Sequence, residues 1–384
     1  METIYLDHNA TTPTRPEVVE AMARCYAAGL ANPASQHQPG QRARRMLEDA
    51  RQRIAELLGA AVNCPQPDQL IFTSGGTESN NLAIFGLAGA SGAGPGQVVV
   101  SAVEHACVLE AAIRLLDDGW RIDTLSVDAD GVVCRKSFDS LLGPSTRLVS
   151  VMLGNHETGV LQPVAELAAE CNARGVPMHT DAVAVAGKLP IEFRRLGVAA
   201  LSVAAHKFQG PLGIGALVLR HGTSVRPMFF GGPQQGGVRP GTESVALAVG
   251  MQTALELWHA GRQEHAERMT ALRERFESAI RAGYPGAVVH GESAPRLPNT
   301  SSIAFPGLEG QILLLALDMA GVACSVGSAC ASGSTELSPT LRAMGLSNDL
   351  VASSLRFSLG ATTTAAEIDE AAGRILNVCQ ALRK

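Results

Sequence analysis

The chain has 384 residues, 46% of them hydrophobic and 17% charged, with a mean hydropathy of +0.12, which suits one large domain with a smaller companion. Acidic residues outnumber basic ones, 36 to 31, so the net charge of -5 gives no electrostatic reason to expect a direct nucleic acid partner. No apolar stretch reaches the roughly 20 residues that a membrane helix needs, and the opening METIYLDHNATTP has no basic segment followed by an apolar run, so a cytoplasmic protein without membrane contact is expected.

From the N-terminus onward, short apolar runs alternate with amphipathic stretches. QLIFTS, QVVVSA, RLVSVML, VPMHTDA, ALSVAA and IGALVL read as central strands, rich in apolar and β-branched residues because both faces are covered. Segments such as CVLEAAIRLLDDG and VAELAAECNARG read as the helices between them, which predicts an α/β fold with a mostly parallel sheet. Near residue 250 the pattern changes to a stretch, AVGMQTALELWHAGRQEHAERMTALRERFESAIRAG, spaced as one long helix or two joined ones. A smaller α+β unit follows. Residues 15–258 are expected to form the large domain, with 1–14 and 259–384 forming the small one.

Five places carry chemistry, and the first is a pair. Lys207 in AHKFQG and Asp181 in HTDAVA supply an amine and a carboxylate, the combination that suits pyridoxal phosphate: the amine for a Schiff base, the carboxylate to keep the pyridine nitrogen protonated. TSGGTESNN follows the run QLIF and opens a helix. Its Gly75, Gly76 and Thr77 suit a phosphate at a helix N-terminus, or serve as ordinary capping residues. His105 in VEHACV lies at a strand end, where it either stacks on a cofactor ring and exchanges protons or caps a helix. Cys330 in GSACASGS is flanked by small residues, which predicts an exposed loop and a reachable thiol. Arg356 sits in the apolar run SLRFSLG and calls for an anion, either a substrate carboxylate or a protein carboxylate. The eight cysteines include no Cys-x-x-Cys pair, which argues against both a disulfide framework and a zinc site.

The ordered series YLDHNATTP, NPASQH, TSGGTESNN, VEHACV, NHETGVLQP, HTDA, AHKFQGPLGIGAL, RPGTES, GSACASGS and LRFSLG resembles the cysteine desulfurases, in the branch that supplies sulfur for iron-sulfur clusters and tRNA thiolation. The resemblance covers essentially the whole chain. It implies a homodimeric enzyme of pyridoxal-phosphate fold type I that converts L-cysteine to L-alanine and hands its sulfur, through a persulfide, to an acceptor or scaffold protein. It implies that Lys207 is the Schiff-base lysine, Asp181 the pyridinium partner, His105 the stacking residue and Cys330 the sulfur acceptor. Gly76, Thr77, Ser202 and His206 would surround the phosphate, Asn155 would lie at the cofactor ring, and Asn32 and Arg356 would bind the substrate carboxylate. Thr242 would reach the phosphate of a neighbouring subunit.

Several positions depart from the family pattern: His156 stands where an asparagine is common, Ala184 where a glutamine is usual, Ala204 where many relatives have serine, and Gly236 and Ala361 where many have arginine. A selenocysteine lyase or another lyase on the same lysine and aspartate is the alternative reading, and a cofactor-poor scaffold is a third.

Overall fold

The computed structural model describes residues 2–92, 94–327 and 337–383. The strands are β1 (Ile4–Tyr5), β2 (Gln69–Thr73), β3 (Gln97–Ser101), β4 (Arg121–Leu125), β5 (Thr146–Ser150), β6 (Met178–Asp181), β7 (Ala200–Ala204), β8 (Gly215–Leu219), β9 (Val288–Val289), β10 (Thr300–Ala304), β11 (Val322–Ala323) and β12 (Ser354–Ser358). The first four helices are α1 (Pro16–Ala27), α2 (Gln38–Leu57), α3 (Gly76–Ala88) and α4 (Ala106–Arg114).

Seven strands form the main sheet in the order β2-β8-β7-β6-β5-β3-β4, parallel except for β8, which runs antiparallel to both its neighbours. Every residue of β3, β7 and β8 is buried, as expected of strands covered on both faces. One strand expected at the centre lies at the edge. QLIFT forms β2, whose Leu70, Ile71 and Phe72 are buried even though only β8 pairs with it. The open side of Phe72 is closed by a side chain: the Gln235 amide accepts from the Phe72 N–H at 2.7 Å and donates to its carbonyl at 2.8 Å. Arg51 of α2 steadies that amide through a 2.8 Å bond to Gln235 Oε1, and its guanidinium lies 4.7 Å from the Phe72 ring centre. An apolar pattern reports the covered faces and is blind to this edge.

The long amphipathic stretch divides at Gly261 into helices Val245–Ala260 and Arg262–Gly283. The second of these packs with the C-terminal helix Ala365–Leu382 on a separate core that includes Ile4, Leu6, Phe276, Ile280, Phe305, Leu313, Phe357 and Ile375. Around that core, β12, β10 and β9 form an antiparallel sheet, and β1 pairs with β11. Leu341, Met344 and Val351 join the core cluster of the large sheet. Among the described residues no helix is long and apolar enough to cross a membrane.

Candidate active site

Strands β2, β3, β5, β6 and β7 end on the same side of the sheet, and the segments leaving those ends line one cavity of about 270 Å³. Ligands in open α/β sheets bind at such strand ends. The lining takes Gly76 and Thr77 after β2, His105 after β3, Met152 and His156 after β5, Asp181 and Lys188 at and after β6, and Ala204, His206 and Lys207 at and after β7. The N-terminal segment adds Asn9 and Ala10, and β12 adds Arg356.

Lys207 sits in a short turn, Ala205–Phe208, directly after β7. Its Nζ donates to the carbonyls of Asn9 at 2.5 Å and Ala10 at 2.8 Å, so residues about 200 positions apart in sequence meet at the amine. Asp181, the last residue of β6, is buried. Its Oδ2 accepts from Asn80 Nδ2 at 2.7 Å and its Oδ1 from the Val183 N–H at 2.9 Å. Burial pushes this carboxyl above the usual range, opposed by those donors and by the nearby His105 and Lys207, so a cation placed against it is strongly favoured.

His105 is both cavity wall and helix cap. As the N-cap of α4, its Nδ1 accepts from the Cys107 N–H at 3.1 Å, with the Cys107 thiol at 3.0 Å. An Nδ1 that accepts leaves the proton of the neutral ring on Nε2. Burial lowers the proton affinity of His105, and His156, set edge-on with ring centres 5.1 Å apart, is pushed down further by burial and by its cationic neighbours.

α3 opens into the cavity at Gly76 and Thr77, with the free N–H groups and positive end of its dipole. A Cβ on Gly76 would come within 3.0 Å of Val183 Cγ2 and 3.6 Å of the Ala204 Cβ, so the bare backbone keeps the cradle open. Glu78, the acidic residue in this first turn, is held by Arg239 at 2.8 Å, which neutralises it beside an anion site. Arg356 is 1% exposed; its Nη2 donates to Asp7 Oδ1 at 2.7 Å and its Nη1 to the His156 carbonyl at 3.2 Å, while its buried Nε has no partner. The protein carboxylate left open by the sequence is therefore present, and the guanidinium makes two of its five possible donations.

Three expected groupings differ. The Ser202 hydroxyl is fully buried in a bond to His179 Nε2 at 2.9 Å, one layer beneath the cavity, and Ala204 takes the lining position on the same strand face. Asn155 does not line the cavity, because its side chain is used to shape the turn: Oδ1 accepts from the Glu157 and Thr158 N–H groups and Nδ2 donates to the Val103 carbonyl. Asn32 lies away from Arg356, in a separate recess that it shares with Thr242. Cys330 lies outside the described residues. The residues bordering that segment approach Glu157, which accepts from Ser338 Oγ at 2.6 Å, while a Cβ on Gly327 would lie 3.0 Å from the same carboxylate.

Sequence reasoning missed Asn80, Lys188 and the Asn9–Ala10 carbonyls. Asn80 follows Gly76 by one helical turn, and that spacing was a readable signal. Lys188 gave another, as the lone charge in the apolar turn AVAVAGK.

Comparisons with known proteins find relatives along essentially the whole chain. The family model described as aminotransferase class-V matches residues 4–371. A curated cysteine desulfurase IscS from Dictyoglomus turgidum is 40% identical over 99% of this chain and 95% of its own length. The cysteine desulfurase NifS from Azotobacter vinelandii is 39% identical over 100% of this chain and 94% of its own. Among solved structures, a NifS-like protein is 32% identical with a TM-score of 0.90 over 99% of this chain and 100% of that one, and a NifS-like protein from Rickettsia africae is 30% identical with a TM-score of 0.88 over 98% and 99%.

Proposed function

The chain belongs to the class-V aminotransferase family and, within it, to the pyridoxal-phosphate-dependent cysteine desulfurases, and on that premise we propose that it converts L-cysteine to L-alanine and passes the sulfur to Cys330 as a persulfide. The observation that carries the reading is the convergence of the Lys207 amine, the buried Asp181 carboxylate, the His105 ring and the α3 N-terminus on one cavity. Those groups fit the cofactor: Gly76 and Thr77 for its phosphate, Asp181 for its ring nitrogen, Lys207 for its aldehyde and His105 for the ring face. When bound, pyridoxal phosphate supplies the electron sink for charge developing at the substrate Cα.

Lys207, neutral and released from covalent duty, is the base for the Cα proton. Arg356, at the cavity wall, holds the substrate carboxylate with the guanidinium donors that Asp7 and the His156 carbonyl leave unused, and His105 offers the proton on Nε2. The Cys330 thiolate then attacks the substrate sulfur. An S–S bond forms, the C–S bond breaks with its electron pair left on carbon, and protonation of that carbon gives alanine. A cytoplasmic homodimer that serves a sulfur-acceptor or scaffold protein, for iron-sulfur cluster or thiolation pathways, completes the proposal. The recess shared by Asn32 and Thr242, with the largely exposed Tyr26 among its lining residues, supports a second copy covering that face.

The test is alanine formation from L-cysteine by chain loaded with pyridoxal phosphate in the presence of a reductant, run beside Cys330→Ala. Alanine from the native chain and its loss in the variant are expected. Equal turnover by both would overturn the persulfide step, and no alanine from a visibly cofactor-loaded native chain would overturn the substrate.

A further inference from the structure

A smaller cavity, of about 50 Å³, adjoins the larger one and shares Lys188 and Lys207 with it. It lies where the two cores meet: Phe208 and Trp258 of the large-sheet core and Met269 of the separate core are on its walls. Its polar lining is one-sided in charge. Arg15 faces it from the segment before α1, Lys188 from the turn after β6 and His265 from the helix Arg262–Gly283, and no Asp or Glu lines it among the described residues. Burial, then the charges of Arg268 and Arg15, lower the proton affinity of His265, with Glu264 opposing them. Arg15 has a carboxylate partner, Glu17 at 3.0 Å, which is 49% exposed and does not line the cavity.

Lys188 has no such partner. Its Nζ donates to the main-chain carbonyl of Lys207 at 2.5 Å, one of the three bonds an ammonium can make. Burial, with the charge of Lys207 added, pulls this amine down to about 7, and among the described residues no carboxylate opposes that shift. On the same walls the buried Trp258 Nε1 also lacks an acceptor. An ammonium taken out of water costs several kcal/mol unless it is paired, and a neutral water repays less of that than an anion does. About 10–15 Å³ is enough for one water. A cavity of about 50 Å³ therefore admits a monatomic anion with a water or two, and is too small for an amino acid.

We propose that this cavity binds one small monatomic anion, chloride in ordinary solution, as the counter-ion of Lys188, and that the anion ties the turn after β6 to the helix Arg262–Gly283 across the two cores. Such a site is independent of the reaction at Lys207.

The experiment is a chloride titration read as excess linewidth of the chloride NMR signal, just below neutral pH, with chain loaded with pyridoxal phosphate so that the α3 end of the larger cavity is filled. The native chain should give broadening that saturates with chloride and is displaced by bromide. Lys188→Met should weaken that binding by at least about tenfold. Ala361→Asp, which sets a carboxylate on a half-buried wall position, should do the same, whereas Ala361→Asn, of the same shape without the charge, should keep native binding. Broadening that is absent or fails to saturate in the native chain would mean water beside an uncharged amine and overturns the proposal. Saturable binding that is equal in the native chain and in Lys188→Met or Ala361→Asp overturns it as well. Should the Met variant fail to fold, the two Ala361 variants decide. The visible absorbance of pyridoxal phosphate is recorded on each sample; its failure to appear would count against the cofactor reading, while the comparison of Asp with Asn at 361 still decides the anion site.

Discussion

Replacing Asp7 by alanine should leave Arg356 as a buried cation without its counter-charge. The guanidinium is 1% exposed and would keep only the His156 carbonyl at 3.2 Å, since its Nε is already without a partner. Removing one member of a buried ion pair costs about 3–5 kcal/mol, and the partial solvent contact of Asp7, 18% exposed, puts this case at the lower end, about 3 kcal/mol. Set against a typical total stability of about 5–15 kcal/mol, that loss is easily measured in urea by far-ultraviolet circular dichroism. Two further results follow from the same physics. The double variant Asp7→Ala/Arg356→Met should be more stable than Asp7→Ala alone, because no uncompensated charge remains. A small carboxylate such as L-alanine, which can fill the vacated anion position, should raise the midpoint of Asp7→Ala more than that of the native chain. A cost below about 1 kcal/mol for Asp7→Ala, or a double variant less stable than the single one, would refute the reasoning.

Protonation offers a second check. His179 is fully buried between Ser150 and Ser202 and burial holds its imidazole down to about 3, so below the ordinary histidine value the unfolded chain binds a proton that the folded chain refuses. Folding stability must therefore fall as pH drops, and His179→Gln should remove about 1.4 kcal/mol per pH unit of that acid sensitivity between roughly pH 6 and 4; urea midpoints equally steep in both chains would contradict it. Gln235→Ala deletes two bonds to the Phe72 backbone and should cost about 1–3 kcal/mol, with faster hydrogen exchange at the Phe72 amide as its local signature. Ala204→Ser puts a hydroxyl on the cavity wall and should slow loss of pyridoxal phosphate by about tenfold, read as decay of the visible absorbance during dialysis. Ser202→Ala, beneath the wall, should leave that rate unchanged.

What the sequence disclosed follows from what is periodic or locally contiguous. The runs at β3, β5, β7 and β8 were readable because burial on both faces leaves a largely apolar signature, whereas in β6 buried His179, Thr180 and Asp181 follow the apolar Met178, and the residues leaving those strands inherit their place at the strand ends. Lys207, Asp181, His105 and Gly76 lie within a few residues of such ends. The Ser202 and Ala204 exchange was not legible, since both residues point to one strand face and only the depth of the cavity separates them. Asn155 illustrates another limit: a polar side chain beside a site can be used up by its own turn, a local choice that residue type does not reveal. Contacts such as Lys207 with the Asn9 carbonyl join distant segments through main-chain atoms, which carry no sequence identity at all.

The glutamine at the rim of the main sheet bears on how copies of this chain can meet. A primary amide offers the same donor and acceptor as a peptide unit, so Gln235 stands in for one residue of a further strand while adding no length that another molecule could continue. Growth of the sheet through β2 would first have to evict that amide and its Arg51 support. Association along this rim by shared strands is thereby disfavoured, and a second subunit is directed towards helix and loop surfaces. The sheet, and with it the strand ends that aim Lys207 and Asp181, then keeps the same dimensions whether the chain is alone or paired.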